Sequence, residues 1–147
     1  MRLLPDTSVL IPYFTRNAYA SEIDRALRAG RFVICSVVAE EVLAGARDQG
    51  ERQDYDRFFG LARRSGGSAT PSDEDWRRCG HLLSRYRQRF GSLASCDHQN
   101  DVLIVLTALA LARTTQTVLM TENDADLNVW LTMAGNKGGL RINAVRR

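Results

Sequence analysis

Leu3-Leu4-Pro5-Asp6-Thr7-Ser8-Val9-Leu10-Ile11 runs from a short apolar stretch, through an acid, into what reads as a helix start. Ser8 is the expected N-cap, and Pro12 falls near the first turn, where a missing N–H is harmless. The segment reads as strand, acidic tip, helix. The same grammar continues along the chain. Ala18 to Ala29 reads as a helix, with Ile23, Ala26 and Leu27 on one face and Gly30 at the C-cap. Phe32-Val33-Ile34-Cys35 reads as a buried strand, and Ser36 caps a helix through roughly Asp48. Gln49 to Arg64 continues helical, with Tyr55, Phe58, Phe59 and Ala62 at helical spacing. Ser65-Gly66-Gly67-Ser68 is a turn. Ser72 then caps a helix with acids in its first turn, running to about Phe90. Gly91 to Gln99 reads as a polar loop and Asn100 to Arg113 as an apolar helix. Thr117-Val118-Leu119-Met120 is a strand, Asp124 to Met133 a short helix, and Gly135 to Gly139 a tight loop. Leu140-Arg141-Ile142-Asn143 is a last strand.

Short strands alternating with helices predict an α/β protein: a three-layer α/β/α sandwich on a small parallel sheet of four or five strands. No repeat or long linker divides residues 1–147, so a single domain is expected. The composition is globular, with 44% hydrophobic and 25% charged residues. No apolar run approaches the ~20 residues of a membrane span. The N-terminus shows no signal-peptide pattern. Three cysteines without close spacing, Cys35, Cys79 and Cys96, read as reduced thiols and predict a cytoplasmic protein. Two histidines argue against a zinc site. A charge of +3 permits a nucleic-acid partner without demanding one.

In parallel sheets the ligand crevice lies at the carboxyl ends of the strands. The residues expected there are acids. Asp6 ends the first strand. Glu40 and Glu41 lie one turn into the helix after the second. Asn100 and Asp101 open the apolar helix, and Thr121, Asn123, Asp124 and Asp126 follow the next strand. Glu41 shares a helix face with Val38 and Gly45, and Gly45 would let another element approach. Asp101 heads the face of Val105, Ala108 and Ala112. Two carboxylates at ~4 Å repel by about 4 kcal/mol at an effective dielectric near 20. Oxygen-only ligands match a hard cation, Mg²⁺ or Mn²⁺. Such an ion suits phosphoryl chemistry.

The chain resembles the PIN-domain ribonucleases, and in particular the VapC toxins of toxin–antitoxin pairs. Four stretches carry the resemblance: Leu4 to Leu10, Ser36 to Gly45, Asn100 to Ile104, and Leu119 to Leu127. It implies a metal-dependent endoribonuclease that hydrolyses RNA through a metal-activated water. It implies Asp6, Glu41 and Asp101 as core acids, with Asp126 as a fourth metal ligand and Asp124 as its substitute. Glu41 is preferred to Glu40 because the family places its acid before a hydrophobic residue and four positions ahead of Gly. Thr7, Ser8, Thr121 and Asn123 are the implied supporting groups. Leu127 stands where an aromatic is usual, and Asn123 where Asp is frequent. The implied partners are RNA, a cognate VapB-like antitoxin and a second copy of the chain, with no membrane. The antitoxin surface is expected near Tyr13, Phe14 and Tyr19.

Other readings remain open from the residues. They are an RNA-processing nuclease outside a toxin pair, a non-catalytic binding relative, and a phosphoacceptor domain. The last wants a pair of early acids and a late lysine, whereas Asp6 stands alone and Lys137 sits in a glycine loop. His98 is expected to be a loop histidine, and Arg77, Arg78, Arg85, Arg87 and Arg89 a solvated helix face. Setting the four proposed ligands aside leaves 13 acids against 20 bases, a charge of +7, almost all of it arginine. If those arginines bind RNA, they should rim the cleft.

Overall fold

The computed structural model describes residues 1–91 and 97–146. β1 (Arg2–Pro5) passes directly into α1 (Thr7–Arg16), and α2 (Ala20–Arg28) follows. Then come β2 (Ile34–Cys35), α3 (Ser36–Ala44), α4 (Gln49–Ser65) and β3 (Ser68–Ala69). The rest is α5 (Asp73–Phe90), α6 (Asp97–Ala112), β4 (Thr117–Thr121), α7 (Asp124–Ala134) and β5 (Arg141–Ala144). Every strand pair is parallel, in the orders β1-β4-β5 and β2-β3. A parallel bridge from Leu3 to Phe32 joins the two groups, giving the run β3-β2-β1-β4-β5. The expected α/β architecture is therefore present.

β1 lies at the centre of that run, which explains its apolar sequence: Leu3, Leu4 and Pro5 are all buried. Pro5 survives there because alternate residues of a strand bond to opposite neighbours. Arg2 and Asp6 donate to Gln116 and Met120 on the β4 side, whereas Leu3 donates to Arg31 on the β2 side. Pro5 shares the parity of Leu3, so its missing N–H does not interrupt the ladder to β4. Within β4, Val118, Leu119 and Met120 are buried, and α6 fills the core from Val102 to Leu109.

Local chemistry moves several boundaries. The N-cap position of α1 is Asp6, not Ser8, and its side chain makes no capping bond. Pro12 therefore sits inside α1, where it removes the bond to the Ser8 carbonyl. α3 ends at Gly45, and α4 starts afresh where the Asp48 side chain accepts from the Glu51 N–H at 2.8 Å. A Cβ on Gly45 would meet only carbonyls of its own helix at 3.6 Å, so this glycine admits no neighbouring element. β3 escapes sequence reading because it has two residues, Ser68 and Ala69. Residues 92–96 of the expected polar loop, with Cys96, lie outside the described residues. Asp97 to Gln99 belong to α6, one turn earlier than the apolar pattern indicates. His98 is accordingly helical, 5.9 Å from the Trp130 ring and 6.1 Å from Tyr86. The Ser72 cap holds: Ser72 and Asp75 form a reciprocal capping box.

Tyr13 and Phe14, expected to face a partner, are half-buried against α4. The Phe14 ring lies 4.8 Å from Tyr55 and 4.9 Å from Phe58. The Tyr13 hydroxyl donates to Asp24 at 2.8 Å. Cys35 and Cys79 are buried free thiols, consistent with core filling. Among the described residues no helix is long and apolar enough to cross a membrane.

Gly66 marks the tightest backbone approach. A Cβ there would lie 1.8 Å from the Phe32 carbonyl oxygen, which cannot move without shifting β2. Gly66→Ala should cost at least ~3 kcal/mol. Thermal denaturation should show this as a loss of roughly 6–12 °C. An unchanged melting temperature would contradict the packing of β2 described here.

Candidate functional site

The carboxyl ends of β1 and β4 lie side by side, with Pro5 paired to Met120. Asp6 and Thr121 stand at those ends. Asp6 is 5% exposed, an unusual degree of burial for a carboxylate. The Ser8 hydroxyl donates to its Oδ1 at 2.6 Å, and the Thr121 hydroxyl donates to its Oδ2 at 2.6 Å. Both hydroxyls are themselves acceptors: Ser8 Oγ from the Glu122 N–H at 2.9 Å, Thr121 Oγ1 from the Asn123 N–H at 2.8 Å. With their lone pairs so engaged, both hydroxyl protons point at Asp6.

Glu41, on the second turn of α3, faces α1. The Thr7 hydroxyl donates to its Oε2 at 3.2 Å. Its Oε1 is buried and has no hydrogen-bond partner among the described residues. Leaving such an atom unpaired costs about 1–3 kcal/mol. Burial raises the Glu41 pKa, the Thr7 bond opposes it, and the charges of Asp101, Glu40 and Asp6 raise it further. Those couplings bring Asp6, Glu41 and Asp101 into one electrostatic neighbourhood. Asp101 is half-exposed on the second turn of α6, and Glu40 is exposed. Burial likewise raises the Asp6 pKa, against the bonds from Ser8 and Thr121.

The fourth corner is looser. Asp126 is exposed on the first turn of α7, beside Tyr86, His98 and Trp130. Asp124 is bound by Arg146 at 2.6 Å, which holds its carboxyl below the usual range. Asn123 contributes its backbone N–H, and its side chain is exposed. Sequence reasoning missed Glu122, whose N–H braces Ser8 and whose carboxylate accepts from the Tyr19 hydroxyl. Tyr19 is held in the left-handed region at φ 59°, which no sequence pattern of large residues announces.

Among the described residues no three acidic, histidine or cysteine side chains already form a metal-binding group. The donor set still suits a hard cation. It consists of carboxylate oxygens, one of them buried and unpaired, under mutual repulsion that a positive ion would relieve. Arg47, Arg57 and Arg77 pair with acids three or four residues away, Arg78 donates to the Ala134 carbonyl, and Arg85, Arg87 and Arg89 are exposed.

The PIN domain family matches residues 3–128, and the chain belongs to that family. No curated protein matches its sequence significantly. Its fold is similar to those of three solved VapBC structures. VapBC2 from Rickettsia felis, bound to a DNA fragment from its promoter, has TM-score 0.68 and 16% identity, covering 99% of this chain and 100% of that one. VapBC-1 from nontypeable Haemophilus influenzae has TM-score 0.65 and 17% identity, covering 98% of each chain. DNA-bound VapBC from Salmonella typhimurium has TM-score 0.64 and 14% identity, again covering 98% of each.

The buried acid generates a stability test in the metal-free protein. The folded pKa of Asp6 lies above its unfolded value. Its contribution is thus fully present below the unfolded pKa and is lost as pH rises through the folded one. Asp6→Asn escapes that loss. With chelator present, the native protein should lose stability relative to Asp6→Asn between pH 4 and pH 7. A stability difference that does not change between those pH values would contradict the raised pKa of Asp6.

Proposed function

We propose that this protein is a Mg²⁺- or Mn²⁺-dependent endoribonuclease acting as the toxin of a toxin–antitoxin pair. The observation that carries the reading is the pairing of a braced, buried Asp6 with a Glu41 whose buried Oε1 lacks a donor. A purely structural acid would have its oxygens satisfied by the protein. Membership of the PIN family supports the nuclease class.

Asp6, Glu41 and Asp101 would hold the cation, with Asp126 joining directly or through water. When bound, such an ion polarises a phosphate and acidifies a water. The protein's own groups set the geometry. Ser8 and Thr121 donate to Asp6 and so favour its ionised, acceptor form. Thr7 fixes Glu41 through Oε2 and leaves Oε1 for the site. With water as the nucleophile the RNA's own 2′-hydroxyl need not attack, so no histidine pair is needed. In-line hydrolysis then leaves a 5′-phosphate and a 3′-hydroxyl.

The partner reading rests on the fold shared with the VapBC structures. We propose a cognate VapB-like antitoxin, encoded beside this chain, and a homodimeric toxin. A free protein of this kind works where its RNA is, in the cytoplasm.

Purified protein should degrade RNA with Mn²⁺ and stop with EDTA. Asp6→Asn, Glu41→Gln and Asp101→Asn should each lower the rate at least ~100-fold, since each removes a ligand needed in the transition state. Asp126→Asn should lose less. Mn²⁺ should also raise the melting temperature of the native protein but not of Asp6→Asn. Full cleavage by folded Asp6→Asn would overturn the site.

A further inference from the structure

Trp76, on the first turn of α5, is 50% exposed, although an indole is among the groups most favourably buried. Its ring borders a concave site of about 280 Å³. Pro71 and Leu103 supply apolar walls, and Ser36, Glu40 and Asn100 supply polar groups. The volume lies at the low end for ligand pockets, the scale of one small ring system. Glu40 and Asn100 are the chain neighbours of Glu41 and Asp101. Adjacent Cα atoms are about 3.8 Å apart, so this site and the acid site share the walls of α3 and α6.

We propose that this pocket binds the unstacked base next to the scissile phosphate, with Trp76 as stacking platform and Glu40 selecting bases that carry an amino group. The inference rests on the nuclease reading and adds a specificity site to it. Single-stranded RNA is recognised by stacking of splayed bases on aromatic side chains. A carboxylate only accepts hydrogen bonds. Glu40 therefore favours adenine, cytosine and guanine, whose exocyclic amino groups donate two hydrogens, over uracil, whose one edge donor, N3–H, is flanked by carbonyl oxygens that repel a carboxylate. Asn100 and Ser36 can each donate or accept at the rest of the base edge.

Tryptophan emission reads the pocket directly, because the second tryptophan, Trp130, is 2% exposed in the core. Short oligo(A), oligo(C) and oligo(U) are titrated into full-length Asp6→Asn protein, which cannot consume them under the nuclease reading. The A and C oligomers should quench emission and bind about fivefold or more tightly than U. Glu40→Gln should erase that preference. Affinities of the Trp76 variants, which lack the reporting indole, are read from the anisotropy of fluorescein-labelled oligomers: Trp76→Ala should weaken binding about tenfold, and Trp76→Phe should restore most of it. Equal affinity for all three oligomers, or a Trp76→Ala change under about twofold, overturns the proposal. So does emission that shifts with protein concentration alone, which would mean that a second copy covers Trp76. If the native chain cleaves RNA while these titrations stay flat, the base site fails and the nuclease stands. If it cleaves nothing while the titrations behave as expected, the nuclease reading fails and a base-binding site remains.

Discussion

The Asp6 carboxylate is buried where β1, α1 and β4 meet, and two hydroxyls hold it there. Ser8 comes from the first turn after β1 and Thr121 from the end of β4, 113 positions later. Each hydroxyl donates a hydrogen bond to Asp6 and accepts one from a backbone N–H of the segment after β4. This small network closes the carboxyl edge of the sheet. It also sets the path of the chain from Thr121 through Asn123 into α7. A helix begins at Asp6 without a conventional cap because the side chain that could cap it is engaged across the sheet. Local helix stability has been traded for a carboxylate in a defined place.

Around that fixed point the electrostatics are unfavourable. Burial disfavours the charged forms of Asp6 and Glu41, and Asp101 and Glu40 add repulsion at Glu41. Among the described residues no arginine hydrogen-bonds Asp6 or Glu41, whereas Arg146 binds Asp124 at the start of α7. Protein groups elsewhere in this chain satisfy their charges locally, as Arg47 does with Glu51 and Arg77 with Asp73. Asp6 and Glu41 differ: hydroxyls of Ser8, Thr121 and Thr7 reach them, and Glu41 Oε1 has no partner among the described residues. That contrast, more than the number of acids, separates a site under strain from an acidic surface.

The parts legible in the sequence are those with strong local chemistry. An apolar run ending in an acid located β1 and Asp6. The Ser72 box located the start of α5. The acids at strand tips followed from parallel topology, and the choice of Glu41 over Glu40 came from the family resemblance. The illegible parts have physical reasons. Asp97-His98-Gln99 carries no apolar period, yet it is helical, with His98 lying near Tyr86 and Trp130. β3 is too short to show alternation. Gly45 ends a helix where its spacing suggested a close crossing. The role of Glu122 depends on a contact between segments more than a hundred residues apart, which periodicity cannot carry.

The central claim is that Asp6, Glu41 and Asp101 together accept one hard cation. Paramagnetic broadening tests it without any substrate. Trace Mn²⁺ added to protein with ¹³C-labelled Asp and Glu should broaden the side-chain carboxyl signals of those three residues first. Exposed pairs such as Asp54 and Asp73 should broaden only at much higher concentration. Early broadening confined to the acidic start of α5, or spread evenly over all acids, would contradict the account.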